Sequence, residues 1–128
     1  MTRADRIAAE RRGRQAEWLA ALALQCKGYR ILAHRVRNAH GEVDLIARRG
    51  KTFAFIEVKA RPTVTAALEA VSERSWQRIS SAAETWAVRN MPMQADFGWR
   101  YDVVAVRPWK WPKHLRDVWR PDFALSGG

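Results

Sequence analysis

An α/β fold, with a mixed sheet of about five strands flanked by helices in the order α-β-β-β-α-β(-β), is what this 128-residue sequence predicts. Three observations carry that expectation. A helical apolar stripe lies near the N-terminus, three strand-length runs joined by short turns follow between residues 29 and 60, and a second helical stripe precedes a nearly continuous apolar run at Tyr101 to Arg107.

The first helix opens at Thr2, which with Asp5 three residues on resembles a capping box. Trp18, Leu19, Leu22, Ala23 and Cys26 form its stripe, which predicts that Trp18 packs in the core, and Gly28 ends it. Gly13 weakens its first half. Residues 1–12, with Arg3, Arg6, Arg11 and Arg12, therefore read either as a solvated helix face or as a basic N-terminal arm.

YRILAHRVR (29–37) reads as a strand, NAHG as a turn, and EVDLIA and TFAFIEVKA as two more strands joined by RRGK. These make a meander. Pro62 to Val71 reads as a loop or short turn. Ser72 is the N-cap of a second helix reaching about Asn90, with Trp76, Ile79, Ala83, Trp86 and Ala87 on its apolar face and Pro92 after its end. Tyr101 to Arg107 has the composition of a strand covered on both faces. The Pro- and Trp-rich tail, 108–128, holds HLRDVW as a short edge strand.

A chain of this length forms a single domain, 1–128, with one core. Its 48% hydrophobic and 28% charged residues are ordinary for a soluble protein, and the longest apolar run, Trp18 to Leu24, is too short to span a bilayer. The N-terminus lacks the apolar segment of a secretory signal. Cys26 stands alone, which fits a reducing, cytoplasmic setting and excludes a cysteine zinc site. The charge is more telling: 23 Lys plus Arg against 13 Asp plus Glu leave a net +10 and a pI near 11.0. Arginine dominates, and its planar fork suits phosphate, so nucleic acid is the expected partner and a membrane is not. An Arg-rich coding bias would give the same pI with no ligand.

The stretch GEVDLIARRGKTFAFIEVKAR, residues 41–61, sets Glu42, Asp44, Glu57 and Lys59 inside strand-like runs. A hairpin around RRGK with Arg48 opposite Lys51 and Ala47 opposite Thr52 puts Glu42 opposite Glu57 and Asp44 opposite Phe55. Asp44 is then diagonal to Glu57, roughly 7–8 Å away, and Lys59 points the same way. One face carries Glu42, Asp44, Glu57 and Lys59 with Ile46, Phe53 and Phe55. The other carries Val43, Leu45, Ala47, Ala54, Ile56 and Val58.

Carboxylates gathered on one face repel unless a cation neutralises them. Mg²⁺ or Mn²⁺ answers that need, taking one or two protein carboxylates and leaving room for water and substrate phosphate. Asp44 and Glu57 are the candidate metal ligands, with the backbone carbonyl of Val58 as a third oxygen. Lys59 is placed to serve the attacking water or the charge that builds on phosphorus. The plainer alternative is an ion pair between Glu57 and Lys59 at a strand end, with Asp44 at the surface.

An Asp followed on the next strand by Glu-x-Lys resembles the PD-(D/E)xK nuclease superfamily. GRQAEWLAALALQCKGYRILAHRVR, GEVDLIARRGKTFAFIEVKAR and RYDVVAV together resemble the YraN-like family of uncharacterised bacterial proteins, related to archaeal Holliday junction resolvases. The similarity runs from about residue 13 to 107. It implies a restriction endonuclease-like core with a metal site on the second and third strands, and cleavage of DNA, including branched or structured DNA. By the same resemblance Glu17 corresponds to a first-helix carboxylate that helps hold metal, Glu42 is a ligand or a neighbour of one, and Asp102 lies in a strand where it either neighbours the site or pairs with an Arg. Gln77 sits one place later than a Lys-Gln pair found in many relatives.

Arg11, Arg12, Arg14, Arg61 and Arg78 are the candidate backbone contacts for nucleic acid. Trp99, Trp109, Trp111 and Trp119, interspersed with Arg and Lys, either pack or stack on unpaired bases. His34, His40 and His114 lack metal-ligand spacing. The leading expectation is a Mg²⁺- or Mn²⁺-dependent endodeoxyribonuclease, with a homodimer as the assembly for symmetric cutting. The rival expectation is a non-catalytic nucleic-acid-binding adaptor that keeps the fold.

Overall fold

The structure, a computed structural model, describes residues 1–92 and 96–121. Residues 122–128 of the tail lie outside the described residues. Helix α1 spans Arg3–Cys26, followed by strands β1 Arg30–Asn38, β2 Gly41–Arg49 and β3 Thr52–Ala60. Helices α2 Val64–Glu69 and α3 Glu73–Asn90 then lead to strands β4 Gly98–Val106 and β5 Lys113–Trp119. The five strands form one sheet in the order β1-β2-β3-β4-β5. Only the β3–β4 pair is parallel, because the two helices between them carry the chain back across the sheet. The expected α/β class and mixed five-stranded sheet are what is found.

Local chemistry explains the element ends. The Thr2 hydroxyl accepts the Asp5 N–H at 3.0 Å and the Asp5 carboxylate accepts the Thr2 N–H at 3.0 Å, so the capping box is complete. Ser72 caps α3 through the Ser75 N–H at 3.1 Å. Within the segment read as a loop or short turn, Thr63 caps the additional helix α2 by accepting the Ala66 N–H at 3.1 Å. Residues 3–12 are the first turns of α1, continuous through Gly13, and nearly all of them are exposed.

The sheet is covered on both faces. On one, Ala16, Ala20, Ala21 and Leu24 of α1 pack on Tyr29, Leu45, Ala47, Ala54, Ile56, Val58 and Val104. On the other, Val71, Trp76, Ile79, Ala82 and Ala83 pack on Val43, Ile46, Phe53, Phe55, Tyr101 and Val103. The alanines let α1 lie close to the strands. Trp18 is two residues from both Ala16 and Ala20, roughly 200° around the helix, and is 65% exposed. Its expected core role is therefore corrected: the side of α1 that meets the sheet is the one carrying Ala16, Ala20, Ala21, Ala23 and Leu24.

Two registers differ from expectation. In the β2–β3 hairpin Arg49 pairs with Thr52 and Leu45 with Ile56, two residues away from the expected pairing. The turn is centred on Gly50 and Lys51, and Gly50 has the positive φ of 61° that glycine supplies without steric cost at the first turn position. A shift of two keeps the faces, but moves Asp44 from the diagonal to the level of Glu57. The second difference is that Val43 packs with Ile46 rather than with Leu45. The two-residue alternation slips at Asp44, level with Arg35 of β1, whose φ is 49°.

Candidate metal and nucleic-acid site

The slip has a geometric consequence at the end of β2 and β3 away from the turn. β1 and β2 stay paired as far as Asn38 and Gly41, and β3 and β4 stay paired as far as Ala60 and Val106. The β2–β3 ladder stops at Leu45 and Ile56. The sheet forks there. One residue into the fork, Asp44 Oδ2 accepts the Val58 N–H at 2.9 Å, so a side chain takes the place of the missing ladder partner. α1 closes the fork from one side, leaving a cleft of about 480 Å³. Glu17, Glu42, Asp44, Glu57, Lys59 and Arg61 all line it, with Arg12 and Gly13 of α1.

Electrostatics mark Glu57 as the strained member. Burial pushes its carboxyl up to about 9, the hydrogen bond to Asp44 and the Asp44 charge push it the same way, Lys59 draws it down, and Glu42 adds a small rise. The folded value stands above the ordinary 4.5, so the associated stability is complete below pH 4.5 and is lost as pH rises toward about 9. Chelated protein is therefore expected to melt at a falling temperature from pH 5 to 9, and Glu57→Gln to flatten that slope. Equal slopes for the two proteins in parallel thermal melts would refute this assignment.

The outer carboxylates have partners already. Arg35 Nε donates to both Glu17 oxygens at 2.8 and 3.1 Å, and Arg37 pairs with Glu42 at 3.2 Å. Among the described residues no three His, Cys, Asp or Glu side chains converge as a metal-holding group. The structure thus brings Asp44, Glu57, Val58 and Lys59 together and turns Glu17 and Glu42 toward arginines at the rim. Two carboxylates and a carbonyl remain a fit for a hard cation that keeps most of its waters. The fit rests on Glu57, a half-buried carboxyl held against another carboxylate.

The remaining candidates divide. Arg12 and Arg61 rim the cleft, while Arg11 and Arg14 are exposed on α1 outside its lining. Arg78 lies beside the β1–β2 turn, where a Cβ on Gly41 would come within 2.8 Å of the Arg78 carbonyl. Gln77 is exposed and donates to Glu73 at 3.3 Å, outside the cleft. Asp102 is fully buried and is corrected as a site neighbour, because it anchors a separate network. Arg100 Nε and Nη2 donate to it at 2.9 and 2.8 Å, the Asp117 N–H donates at 2.9 Å, and His114 Nε2 lies at 2.7 Å. Trp119 is buried and stacks on Trp76 at 5.9 Å, whereas Trp99 and Trp111 are partly exposed and Trp109 wholly so.

Arg35 and Arg37 are the site residues that sequence reasoning missed. The signal was available in principle, since Arg37 pairs directly with Glu42 across the strands and opposite charges at such positions attract. It required the β1 register, which the irregularity between Ile31 and Ala33 conceals.

The model of the uncharacterised protein family UPF0102 matches residues 16–106, from the cleft-facing turn of α1 to the last residue of β4. A UPF0102 protein of Chelativorans sp. (strain BNC1) is 52% identical over 117 residues, covering 91% of this chain and 94% of the relative. One from Mesorhizobium japonicum is 52% identical over 118 residues, covering 90% and 91%. Another, from Maricaulis maris, is 50% identical over 121 residues, covering 94% of each. The matched region holds the C-terminal part of α1 and the whole of β1 to β4, with Glu17, Glu42, Asp44, Glu57 and Lys59 of the cleft, and the chain belongs to the UPF0102 family.

Proposed function

We propose that this protein is a metal-dependent nuclease of the PD-(D/E)xK kind that hydrolyses DNA phosphodiesters, with branched or structured DNA as the favoured substrate. One observation carries the reading: the Asp44 and Glu57 carboxyls meet in a half-buried fork of the sheet, with Lys59 beside them and Arg12 and Arg61 at the rim. Asp44, Glu57 and the Val58 carbonyl would hold Mg²⁺ or Mn²⁺. When bound, the cation supplies Lewis acidity and a water that loses its proton more readily. The arginines hold the strand through its phosphates. The Lys59 ammonium orients the attacking water or meets the charge that develops on the phosphorane oxygens as the ester oxygen leaves. A single site cuts one strand, and paired cuts call for a homodimer.

Lys59→Ala is expected to lower the cleavage rate by roughly 10²–10⁴-fold, the usual cost of losing a positioned proton-transfer or charge-stabilising group. Single-turnover cleavage of labelled single-stranded, duplex, flap and four-way DNA with Mg²⁺, Mn²⁺ or EDTA measures it. Cleavage indifferent to EDTA would refute the metal role. The second reading, a non-catalytic nucleic-acid-binding adaptor, is favoured by the neutralisation of Glu17 and Glu42 by Arg35 and Arg37. Calorimetry separates the two readings, because the adaptor binds DNA in a salt-sensitive manner without taking up Mg²⁺ or Mn²⁺.

A further inference from the structure

A second cleft of about 410 Å³ adjoins the first on the other side of α1. The two share Arg12, Ala16, Ala60 and Arg61 as lining. The floor of the second is apolar, from Leu19, Pro62, Val106 and Pro108, and Arg107 and Trp109 complete its wall. Trp109 is wholly exposed, at 103% of the reference area, and has a φ of 59°. A left-handed backbone is costly for a bulky residue, and such strain persists where the surrounding chain enforces it. Here Pro108 precedes it and Pro112 follows after Lys110 and Trp111. The result is an indole held out in water at the mouth of an apolar, arginine-rimmed cleft.

Arg107 is thinly held. Its Nη2 donates to the Trp111 carbonyl at a long 3.4 Å, and its Nε is buried with no hydrogen-bond partner among the described residues. A buried donor without an acceptor costs on the order of 1–3 kcal/mol, so little holds this guanidinium in place, and its fork can turn to a phosphate oxygen.

We infer that this second cleft is a binding subsite for an unpaired nucleotide, with Trp109 stacking on the base and Arg107, Arg61 and Arg12 holding the flanking phosphates. A π-face, an apolar floor and guanidinium groups are what single-stranded nucleic acid needs, whereas a duplex hides the faces of its bases. The direction of the strand, from this subsite past Arg12 and Arg61 to Asp44 and Glu57, rests on the nuclease reading above. Binding at the subsite does not. The unpaired segment beside a flap or junction is then the part of the substrate that selects it.

The test is fluorescence anisotropy with a labelled oligothymidylate and a labelled duplex of equal length, at fixed salt and in EDTA. Trp109→Ala is expected to weaken oligothymidylate binding roughly 5- to 150-fold, the range for one lost base stack. Trp109→Phe should retain most of the affinity, and duplex binding should stay within about twofold for both variants, as expected for phosphate-dominated contacts. The exposed indole makes no core contact, so its removal leaves the fold intact. Oligothymidylate binding unchanged in Trp109→Ala, or duplex binding reduced by the same factor, would overturn the subsite. Because no metal is present, these results stand apart from cleavage: intact Trp109-dependent binding without any metal-dependent cutting would sink the nuclease reading and leave the subsite standing.

Discussion

Asp44→Asn is expected to bring Mg²⁺- and Mn²⁺-dependent cleavage of every DNA substrate to background while the protein stays folded. Asparagine keeps the oxygen that accepts the Val58 N–H, so the fork in the sheet survives. What disappears is the charge, and with it one of the two carboxylates that a hard divalent ion would bind. The substitution also removes a charge that pushes the Glu57 carboxyl up. Chelated Asp44→Asn protein should therefore be at least as stable as wild type at pH 8, and divalent cations should no longer raise its melting temperature. Thermal melts with and without Mg²⁺, alongside cleavage assays, measure both effects. Wild-type cleavage rates in this variant would leave the proposed metal centre without support.

Asp102→Ala should produce the largest loss of stability, about 3–5 kcal/mol, equivalent to a fall of more than about 10 °C in melting temperature. Burial by itself would push the Asp102 carboxyl up. Hydrogen bonds from His114, Arg100 and the Asp117 N–H, with the Arg100 charge, outweigh it and hold the carboxyl below the usual range. Truncation leaves the Arg100 guanidinium and the His114 ring, 17% and 4% exposed in their side chains, without their acceptor. His114 Nδ1 lies 2.7 Å from Lys27 Nζ, and Arg100 also reaches the Tyr29 hydroxyl at 2.6 Å. The damage thus spreads from β5 to the C-terminal end of α1. A depressed folded value means that this contribution is present above the ordinary 3.8 and is lost as pH falls through the folded value. Wild-type acid unfolding should accordingly include this network, and denaturant melts of Asp102→Ala that match wild type would contradict it.

Much of this architecture was legible from local signals. Capping at Thr2 and Ser72, the turn after Asn38 and the apolar run of β4 are decided within a few residues, so their chemistry can be read from order alone. The Asp44, Glu57 and Lys59 grouping was legible for a related reason: hairpin parity depends only on whether the turn is odd or even, and a shift of two residues by itself moves no side chain to the other face. Val43 escaped that logic, because the slip opposite Arg35 is a property of two strands together. Trp18 escaped it as well, since a helical stripe says which residues share a side but not how close the helix comes to its sheet.

The sequence by itself determined the order of the strands and of the two long helices, the basic character and the residue types available for a hard cation. Only the tertiary structure decided that β2 leaves β3 at Asp44, that Arg35 and Arg37 claim Glu17 and Glu42, and that Asp102 belongs to a buried anchor. The reason is physical. Periodicity and capping are set by neighbours in the chain, whereas the charge state of a carboxyl is set by whichever groups the fold brings within a few ångströms of it.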